Sequence, residues 1–255
     1  MRSQFWGLYS REILRTFRNP LVLLLTLVQP FMWLTFFGSA WSHVASQVPG
    51  EFGGEGYIAF LLPGVLSTSM LSVGMFGAMS TIQDKRFGFM KRILITPTTK
   101  EVIFLSKTLG SATRGLVQIP VMLVAAYVWG VDFGHVTPLE WAAWGVMLFF
   151  LAMGFSSLFL AVTAPSTDWQ TPAVLANFVT MPFMFASAAL VPTPGFPTWM
   201  RYISDLNPIT YSALLGRAFV LGEAIPWSYF GIIVGFGVIG LVVGYFVSAR
   251  WLRVE

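Results

Sequence analysis

The sequence predicts an all-α, polytopic membrane protein with six membrane-spanning helices. Hydrophobic residues make up 56% of the 255 residues and charged residues only 10%, whereas about 25% of the residues of a soluble domain are charged. Six apolar stretches are close to the roughly 20 residues that a helix needs to cross the hydrocarbon core. In chain order, they run approximately over 21–41, 57–80, 108–129, 139–163, 173–191 and 226–248.

The positions of the basic residues predict the orientation of these spans, because cytoplasmic loops carry an excess of Lys and Arg. Twelve of the fifteen Lys and Arg residues lie in the N-terminal segment, between the second and third spans, or at the C-terminus. Arg201 and Arg217 lie on the other side. Arg114 lies just inside the third span, where it is expected to reach lipid phosphates by snorkelling. Six spans then place both termini in the cytoplasm of a cell-membrane protein.

The segment 1–20 is predicted to form an amphipathic helix in the plane of the membrane surface. Phe5 and Trp6 share a broad apolar face, whereas Arg11 and Arg15 lie on another face. A basic face beside an aromatic face is typical of helices that lie among lipid headgroups. This segment is therefore expected to be an elbow helix, either as a static anchor or as an element that transmits motion.

Two connections are expected to contain short helices. The cytoplasmic connection 81–107 holds six basic residues, and its Thr98 and Glu101 have the spacing of a capping box, which predicts a helix start. The outer connection 192–225 is too polar to span a membrane and too apolar for a solvated loop. Non-helical backbone at membrane depth must be surrounded by protein or water, so this segment is expected to be re-entrant and to cap a pathway.

The sequence lacks the motifs of several kinds of catalytic and binding site. The chain has no G-x-x-x-x-G-K-[ST] loop, so it is not expected to hydrolyse ATP. It has no cysteine and only two distant histidines, so neither a metal site nor a catalytic residue is predicted. The spans hold almost no ionisable groups, which disfavours an ion-coupled carrier or an intramembrane enzyme. The net charge of +4 is assigned to cytoplasmic loops, not to nucleic-acid binding.

Aromatic, Met and polar side chains in the first, second and fifth spans are candidates for a ligand-binding surface. Met and aromatic side chains form surfaces that adapt to varied apolar ligands, and an amide in hydrocarbon needs a partner. For each residue, ordinary contact with another helix or with lipid is the alternative. The candidates are Gln29, Met32, Trp33, Phe36, Ser67, Met70, Asn177, Phe178, Met181 and Phe185.

The last span contains two pairs of glycines that are four residues apart. They are Gly231 with Gly235, and Gly240 with Gly244. Small residues at this spacing let a neighbouring helix approach closely. The sequence leaves open whether that helix belongs to the same chain or to another copy.

Three local sequences carry a family resemblance: FLLPGV at 60–65, DKRFGFMKRILITP at 84–97 and LNPITY at 206–211. In this order, and within six spans, they resemble the membrane subunits of type-2 ABC transporters, the exporter permeases related to drug, lipid and polysaccharide efflux systems. The family pattern has an elbow helix, a coupling segment between spans two and three, and re-entrant helices before span six. The resemblance covers nearly all of 1–255 as one permease domain. At 88–91 this chain has Gly-Phe-Met-Lys, where the family often has Gly-Thr-Leu-Glu.

The resemblance implies that this chain forms the pathway of an ATP-driven exporter. Two copies, or this chain and a similar permease, would pair with two cytoplasmic ATPase subunits. Those subunits would bind ATP and Mg²⁺, and this chain would hold no cofactor. The ATPases would push on the coupling segment. The alternative is that the basic residues of this segment only contact anionic lipid headgroups. The implied coupling residues are Asp84, Lys85, Arg86, Phe87, Gly88, Phe89, Met90, Lys91, Arg92, Ile93, Leu94, Thr96 and Pro97.

The resemblance also assigns the pathway and its outer gate. The first, second and fifth spans would line the pathway at the dimer interface. The implied substrate is an amphipathic drug-like molecule, a lipid or a lipid-linked glycan. The alternative is an ATP-independent secondary transporter or a lipid-modifying enzyme, which would be active without an ATPase. The implied gate residues are Asn207, Pro208, Thr210, Tyr211 and Arg217.

Overall fold

The computed structural model describes residues 2–47, 56–89, 98–166 and 170–250. Over these residues the chain forms ten α-helices, and a short 3₁₀ turn, Thr193–Gly195, precedes the eighth. The helices are α1 (Arg2–Phe17), α2 (Pro20–Gln47), α3 (Tyr57–Arg86), α4 (Lys100–Leu116), α5 (Gln118–Val128), α6 (Pro138–Thr163), α7 (Gln170–Phe185), α8 (Thr198–Leu206), α9 (Pro208–Leu221) and α10 (Trp227–Ser248).

Every apolar stretch that the sequence predicts falls on a helix. In the described part of the chain, α3, the α4–α5 pair, α6 and α10 are each long and apolar enough to cross a membrane. The helix α2 has 28 residues, whereas α7 has only 16. The predicted stretch 173–191 is therefore too long, because the chain leaves the helix after Phe185. The α4–α5 boundary at Val117 has a local cause, since Pro120 cannot donate a hydrogen bond to the Leu116 carbonyl.

The helix α3 lies at the centre of the bundle. It packs against α2, α4, α5, α6, α7 and α9, and it is buried over most of its length. The helices α2 and α7 lie on either side of a crevice over α3, and Gln29, Trp33 and Thr180 are among the residues that line it. Consequently, α2 and α7 keep one face each outside the core.

The helix α4 begins one residue later than the predicted capping box at Thr98 and Glu101 implies. Its N-cap is Thr99, whose side chain makes no capping hydrogen bond, and the Glu101 carboxylate accepts a hydrogen bond from the hydroxyl of Tyr245 on α10. A complete capping box occurs at the start of α6. There the Thr137 amide donates to Glu140 Oε2 at 2.6 Å, and the Glu140 amide donates to the Thr137 hydroxyl.

Glycines on α6 and α10 allow these two helices to approach closely. A Cβ atom on Gly237 would lie 2.6 Å from the Phe150 carbonyl oxygen, and one on Gly244 would lie 2.7 Å from that of Ser157. Gly240 likewise lies against Gly154. The predicted Gly240 and Gly244 pair thus packs within the chain.

The predicted Gly231 and Gly235 pair makes no such contact. A Cβ atom on either residue would meet nothing within 4 Å. The face that packs against α6 instead includes Gly237, Gly240 and Gly244, which recur at the helical spacing of three and four residues.

Replacing Gly237 with alanine is expected to lower the free energy of unfolding by about 1–3 kcal/mol, because the added methyl group overpacks the α6–α10 contact. Gly235→Ala is the matched control on the same helix. It is expected to be neutral or slightly stabilising, since alanine is favoured over glycine in helices. Thermal unfolding of both variants in one detergent measures the difference, and equal transition temperatures would contradict this account of the packing.

Candidate functional site

Buried charges join α1 to α3 and α4, the two helices that flank the connection 87–99. Lys107 on α4 lies between Glu12 on α1 and Asp84 on α3, with its Nζ 2.9 Å from Glu12 Oε1 and 2.5 Å from Asp84 Oδ2. All three residues are buried. Because a buried carboxylate requires a charged or hydrogen-bonding partner, Lys107 fixes the three helices to one another at this point.

Two arginines of α1 extend this arrangement. Arg11 binds Asp84 with both ends of its guanidinium, Nη2 to Oδ1 at 3.0 Å and Nη1 to Oδ2 at 3.2 Å. Arg15 lies 3.5 Å from Asp84 Oδ1 and also donates to the side chain of Gln83. A two-point contact fixes orientation as well as distance. We call this set the ionic cluster: Arg11, Glu12, Arg15, Asp84 and Lys107.

The predicted coupling segment begins at the ionic cluster. The helix α3 ends through Gly88, whose φ of 71° is a left-handed conformation that favours glycine after a helix. Phe89 lies against Arg11, whose guanidinium carbon is 3.6 Å from the ring centroid. Arg86 and Phe87 are exposed, and 80% of the Phe87 surface is accessible. The following predicted residues lie outside the described residues: Met90, Lys91, Arg92, Ile93, Leu94, Thr96 and Pro97.

Two residues of this segment bind other residues of the same chain. The resemblance gives Asp84 to an ATPase contact, but its side chain is buried and both of its oxygens bind residues of this chain. Lys85 is only partly exposed and donates a hydrogen bond to the Ala164 carbonyl. Sequence reasoning also missed Glu12 and Lys107 as partners of Asp84. A signal was present, since Glu12 is the only acidic residue in a segment with four arginines.

A second polar site surrounds the turn 186–191, which follows α7. Arg217 on α9 donates from Nε to the Phe60 carbonyl at 2.9 Å and from Nη2 to the Ala189 carbonyl at 3.0 Å. It also donates to the Ala188 carbonyl, and its guanidinium carbon lies 3.4 Å from the centroid of the Phe60 ring. Buried carbonyl groups that lie outside a helix need hydrogen-bond donors. The Arg217 guanidinium donates to two carbonyl groups of this turn, those of Ala188 and Ala189.

Asn207 and its neighbours hold the same turn from the start of α9. The Asn207 amide donates to the Phe183 carbonyl at 2.7 Å and to the Ala186 carbonyl at 3.2 Å, while its Oδ1 caps α9. The Ala188 amide donates to the Thr210 hydroxyl at 3.3 Å. Because Asn207 takes the carbonyls at the end of α7, the helix ends earlier than its hydropathy predicts. We call the following residues the polar anchor: Asn207, Thr210 and Arg217.

The predicted gate residues come together, but they contact other residues of the chain and do not line an open space. Asn207, Pro208, Thr210 and Arg217 are buried within the chain. Tyr211 is partly exposed, and its hydroxyl donates to the Asp205 carbonyl at 2.5 Å. In this conformation the four buried residues cannot touch a passing molecule, because their surface is covered, so they fix the turn that precedes α8.

The pathway candidates divide into exposed and buried residues. Trp33 is partly buried in the crevice over α3. Ser67 and Met70 are wrong as surface residues, since both are fully buried on α3, and the Ser67 hydroxyl lies 2.7 Å from that of Ser212. Large apolar patches outside a core are typical of contact with lipid or protein. The exposed candidates on α2 and α7 are Gln29, Met32, Phe36, Asn177, Phe178, Met181 and Phe185.

Comparisons with known proteins give one family match and several related transport proteins. The family model described as ABC-2 type transporter matches residues 3–221, from α1 to the end of α9. The putative transport permease ycf38 of Cyanophora paradoxa is 25% identical over 211 residues, which cover 82% of this chain and 71% of that protein. The probable doxorubicin resistance ABC transporter permease protein DrrC of Mycobacterium tuberculosis is 23% identical over 228 residues, covering 88% and 79%. Nodulation protein J of Rhizobium meliloti is 24% identical over 234 residues, covering 89% and 84%.

Proposed function

The chain belongs to the ABC-2 type transporter family and is a membrane subunit of an ABC transporter, and from this premise we propose that it forms the pathway of an ATP-driven exporter. Two copies, or this chain and a similar permease, pair with two separate ATPase subunits. The ATPases bind ATP and Mg²⁺ and act on the connection 87–99. The chain itself supplies the route across the membrane.

The ionic cluster is the observation that carries this proposal. It ties Asp84, three residues before the connection, and Lys107, eight residues after it, to the same helix α1. A force on the connection is therefore passed to α1, α3 and α4 together, because ion pairs between buried groups resist separation.

The exposed residues beside the cluster supply a docking surface. Phe87 presents a large aromatic side chain next to exposed Arg86. Aromatic and arginine side chains are enriched in protein–protein interfaces and often dominate their binding energy. We assign these two residues to the contact with the ATPase, and we assign Asp84 to the ionic cluster within the chain.

The proposed arrangement in the membrane has six spans: α2, α3, α4–α5, α6, α7 and α10. The helix α1 is the elbow on the cytoplasmic surface, and α8 and α9 form the re-entrant segment on the outer side, with both termini in the cytoplasm. The excess of Lys and Arg on one side supports this orientation. The polar anchor supports the re-entrant assignment, because it satisfies backbone groups that lipid could not satisfy.

The exposed faces of α2 and α7 are the proposed contact with the second copy and with the substrate. They carry Met32, Phe36, Phe178 and Met181, which suit an amphipathic, aromatic or lipid-like molecule. The relative named for doxorubicin resistance supports a drug-like substrate. A lipid or a lipid-linked glycan fits the same apolar faces.

Reconstitution tests the proposal. The chain should co-purify with an ABC ATPase from the same organism, and proteoliposomes with both proteins should move substrate only with ATP and Mg²⁺. Proteoliposomes that contain the chain without an ATPase are the control. Transport or lipid modification by the chain alone, or failure to bind any such ATPase in nanodiscs, would contradict the proposal and favour an ATP-independent protein.

Phe87→Ala is expected to weaken ATPase binding about tenfold, the effect of losing about 1.4 kcal/mol at an aromatic anchor. The side chain is largely exposed, so the fold should tolerate the change. Trp199→Ala is the matched control, since Trp199 is an exposed aromatic residue on α8 at the opposite end of the proposed arrangement. Affinity for the ATPase is measured in nanodiscs, and equal affinities of the two variants would remove Phe87 from the interface.

A further inference from the structure

A cavity of about 360 Å³ lies between α1, α2, α3 and the α4–α5 pair. One part of its wall is polar and includes Arg15, Arg114 and Gln118. Another part is apolar and includes Leu23, Leu27 and Phe76. The cavity therefore offers charged donors at one place and hydrocarbon at another, which is the pattern that an amphipathic anion requires.

The charges around the cavity do not balance. The ionic cluster has three cationic and two anionic side chains, and Arg114 adds a fourth cation. The carboxylate that interacts with Arg114 is that of Glu12, which already binds Lys107 and Arg11. Among the described residues, Arg114 donates one long hydrogen bond, 3.5 Å, to the Val73 carbonyl. An excess of two positive charges around one cavity favours the binding of an anion.

Gln118 gives a second, independent indication of a ligand. It is 3% exposed and lines the cavity, and its Oε1 has no hydrogen-bond partner among the described residues. A buried acceptor without a donor is unusual in folded proteins. Arg114 at the end of α4 and Gln118 at the start of α5 both line the cavity. Its polar lining thus extends across the boundary between these two helices.

We propose that this cavity binds the anionic headgroup of an acidic phospholipid from the cytoplasmic leaflet. The phosphate lies between Arg15 and Arg114, whose guanidinium groups match phosphate oxygens in pairs. A hydroxyl group of the lipid or a water donates to Gln118 Oε1, and an acyl chain runs along Leu23, Leu27 and Phe76. A free inorganic anion would satisfy the arginines but would leave the apolar wall without contacts.

The proposed site changes the role that the sequence predicts for Arg114, which was to reach lipid phosphates by snorkelling. The Arg114 guanidinium borders a partly open cavity between five helices, so in this proposal it meets a lipid phosphate inside the bundle and not at the membrane surface. The bound lipid touches α1, α2, α3 and α4–α5 and stands beside the ionic cluster. It therefore couples the lipid composition of the cytoplasmic leaflet to the helices around the connection 87–99.

Binding is tested on the purified full chain in a neutral detergent after delipidation. Dioctanoylphosphatidylglycerol is titrated and followed by native mass spectrometry, with dioctanoylphosphatidylcholine and inorganic phosphate as the other ligands. The expected result is saturable binding of the acidic lipid, with at least tenfold weaker binding of the other two. Arg114→Gln should weaken binding of the acidic lipid at least tenfold. Arg18→Gln, an exposed arginine outside the cavity, should leave it unchanged.

A second variant guards against a folding defect in Arg114→Gln. Leu23→Trp keeps all charges and fills the apolar wall, so it should also abolish lipid binding while its thermal unfolding stays cooperative. Equal loss in Arg114→Gln and Arg18→Gln would show surface electrostatics and overturn the site. Competition by inorganic phosphate at equal concentration would show a free-anion site and overturn the lipid assignment. No ATPase is present, so these outcomes are separate from the test of the exporter function.

Discussion

Replacing Lys107 with methionine is expected to lower the free energy of unfolding by about 3–5 kcal/mol, the usual cost of removing one partner from a buried ion pair. Lys107 is buried and contacts both Glu12 and Asp84. Arg11 remains beside Asp84, whereas Glu12 keeps a 3.5 Å contact with Arg11 and a 3.4 Å hydrogen bond from the Ser80 hydroxyl. The buried Glu12 carboxylate thus loses its shortest contact with a cation. Unfolding in detergent, followed by circular dichroism, measures the loss.

Two further variants separate charge from packing at this position. Lys100→Met is the matched control, since Lys100 lies on the same helix and its Nζ binds only a carbonyl, that of Ala249, in the described structure. It should cost less than about 1 kcal/mol. Adding Glu12→Gln to Lys107→Met should recover part of the stability, because the double variant no longer buries an unpaired charge. If Lys107→Met left the free energy of unfolding unchanged, the packing of the three helices would not depend on the ionic cluster.

The double variant Glu12→Gln with Lys107→Met also tests the coupling role of the ionic cluster. If the ionic cluster passes force from the connection 87–99 to α1, the double variant Glu12→Gln with Lys107→Met should bind the ATPase normally and still hydrolyse ATP. Its transport per ATP hydrolysed should fall, because the connection can move without α1. Unchanged transport per ATP in a folded double variant would contradict the coupling role while leaving the exporter function intact.

Replacing Arg217 with methionine is the second change with a large expected effect, a loss of about 3–5 kcal/mol of unfolding free energy. The Phe60, Ala188 and Ala189 carbonyls would lose charged donors, and each buried unsatisfied group costs about 1–3 kcal/mol. Arg217→Lys should rescue only part of this loss, since one ammonium group cannot reproduce the two-ended guanidinium contact. The turn 186–191 should also become sensitive to protease in the variants.

Arg201→Met is the control for Arg217. Arg201 is exposed, and its guanidinium donates to the Pro194 carbonyl on the surface. The change should stay within about 0.5 kcal/mol, as exposed substitutions usually do. Similar losses in the two methionine variants would show that the polar anchor adds nothing beyond an exposed hydrogen bond. Both measurements use thermal unfolding in the same detergent.

Hydropathy was sufficient to locate the helices but not all of their ends. The predicted stretches at 57–80, 139–163 and 226–248 lie within or nearly within α3, α6 and α10. The helix α7 ends early because the amide of Asn207, more than twenty residues later, takes carbonyls from its last turn and the residue after it. The start of α4 was placed within two residues, and its N-cap is Thr99 and not the predicted Thr98. End positions depend on side chains from other helices, which a local pattern does not contain.

The candidate site was predictable by segment but not by residue. The motif at 84–97 pointed to the correct stretch of chain, yet Asp84 faces inward and Phe87 outward, which only the packing of α1 and α4 decides. Ser67 and Met70 looked like pathway residues because hydroxyl and Met side chains occur on core and surface alike. Their place on the central helix buries them. The glycines of α10 show the same limit, since only contact with α6 distinguishes Gly237 from Gly235.

The sequence by itself predicted an all-helical membrane protein, because the number and spacing of apolar and basic residues are local properties of the chain. Three short motifs carried its resemblance to the ABC-2 type family. Only the tertiary structure decided which charges meet. Lys107 and Glu12 are 95 positions apart, and Arg217 and Phe60 are 157 positions apart. Such pairs form because a buried charge or carbonyl must find a partner inside the bundle, and the partner is chosen by the packing of helices and not by neighbouring residues.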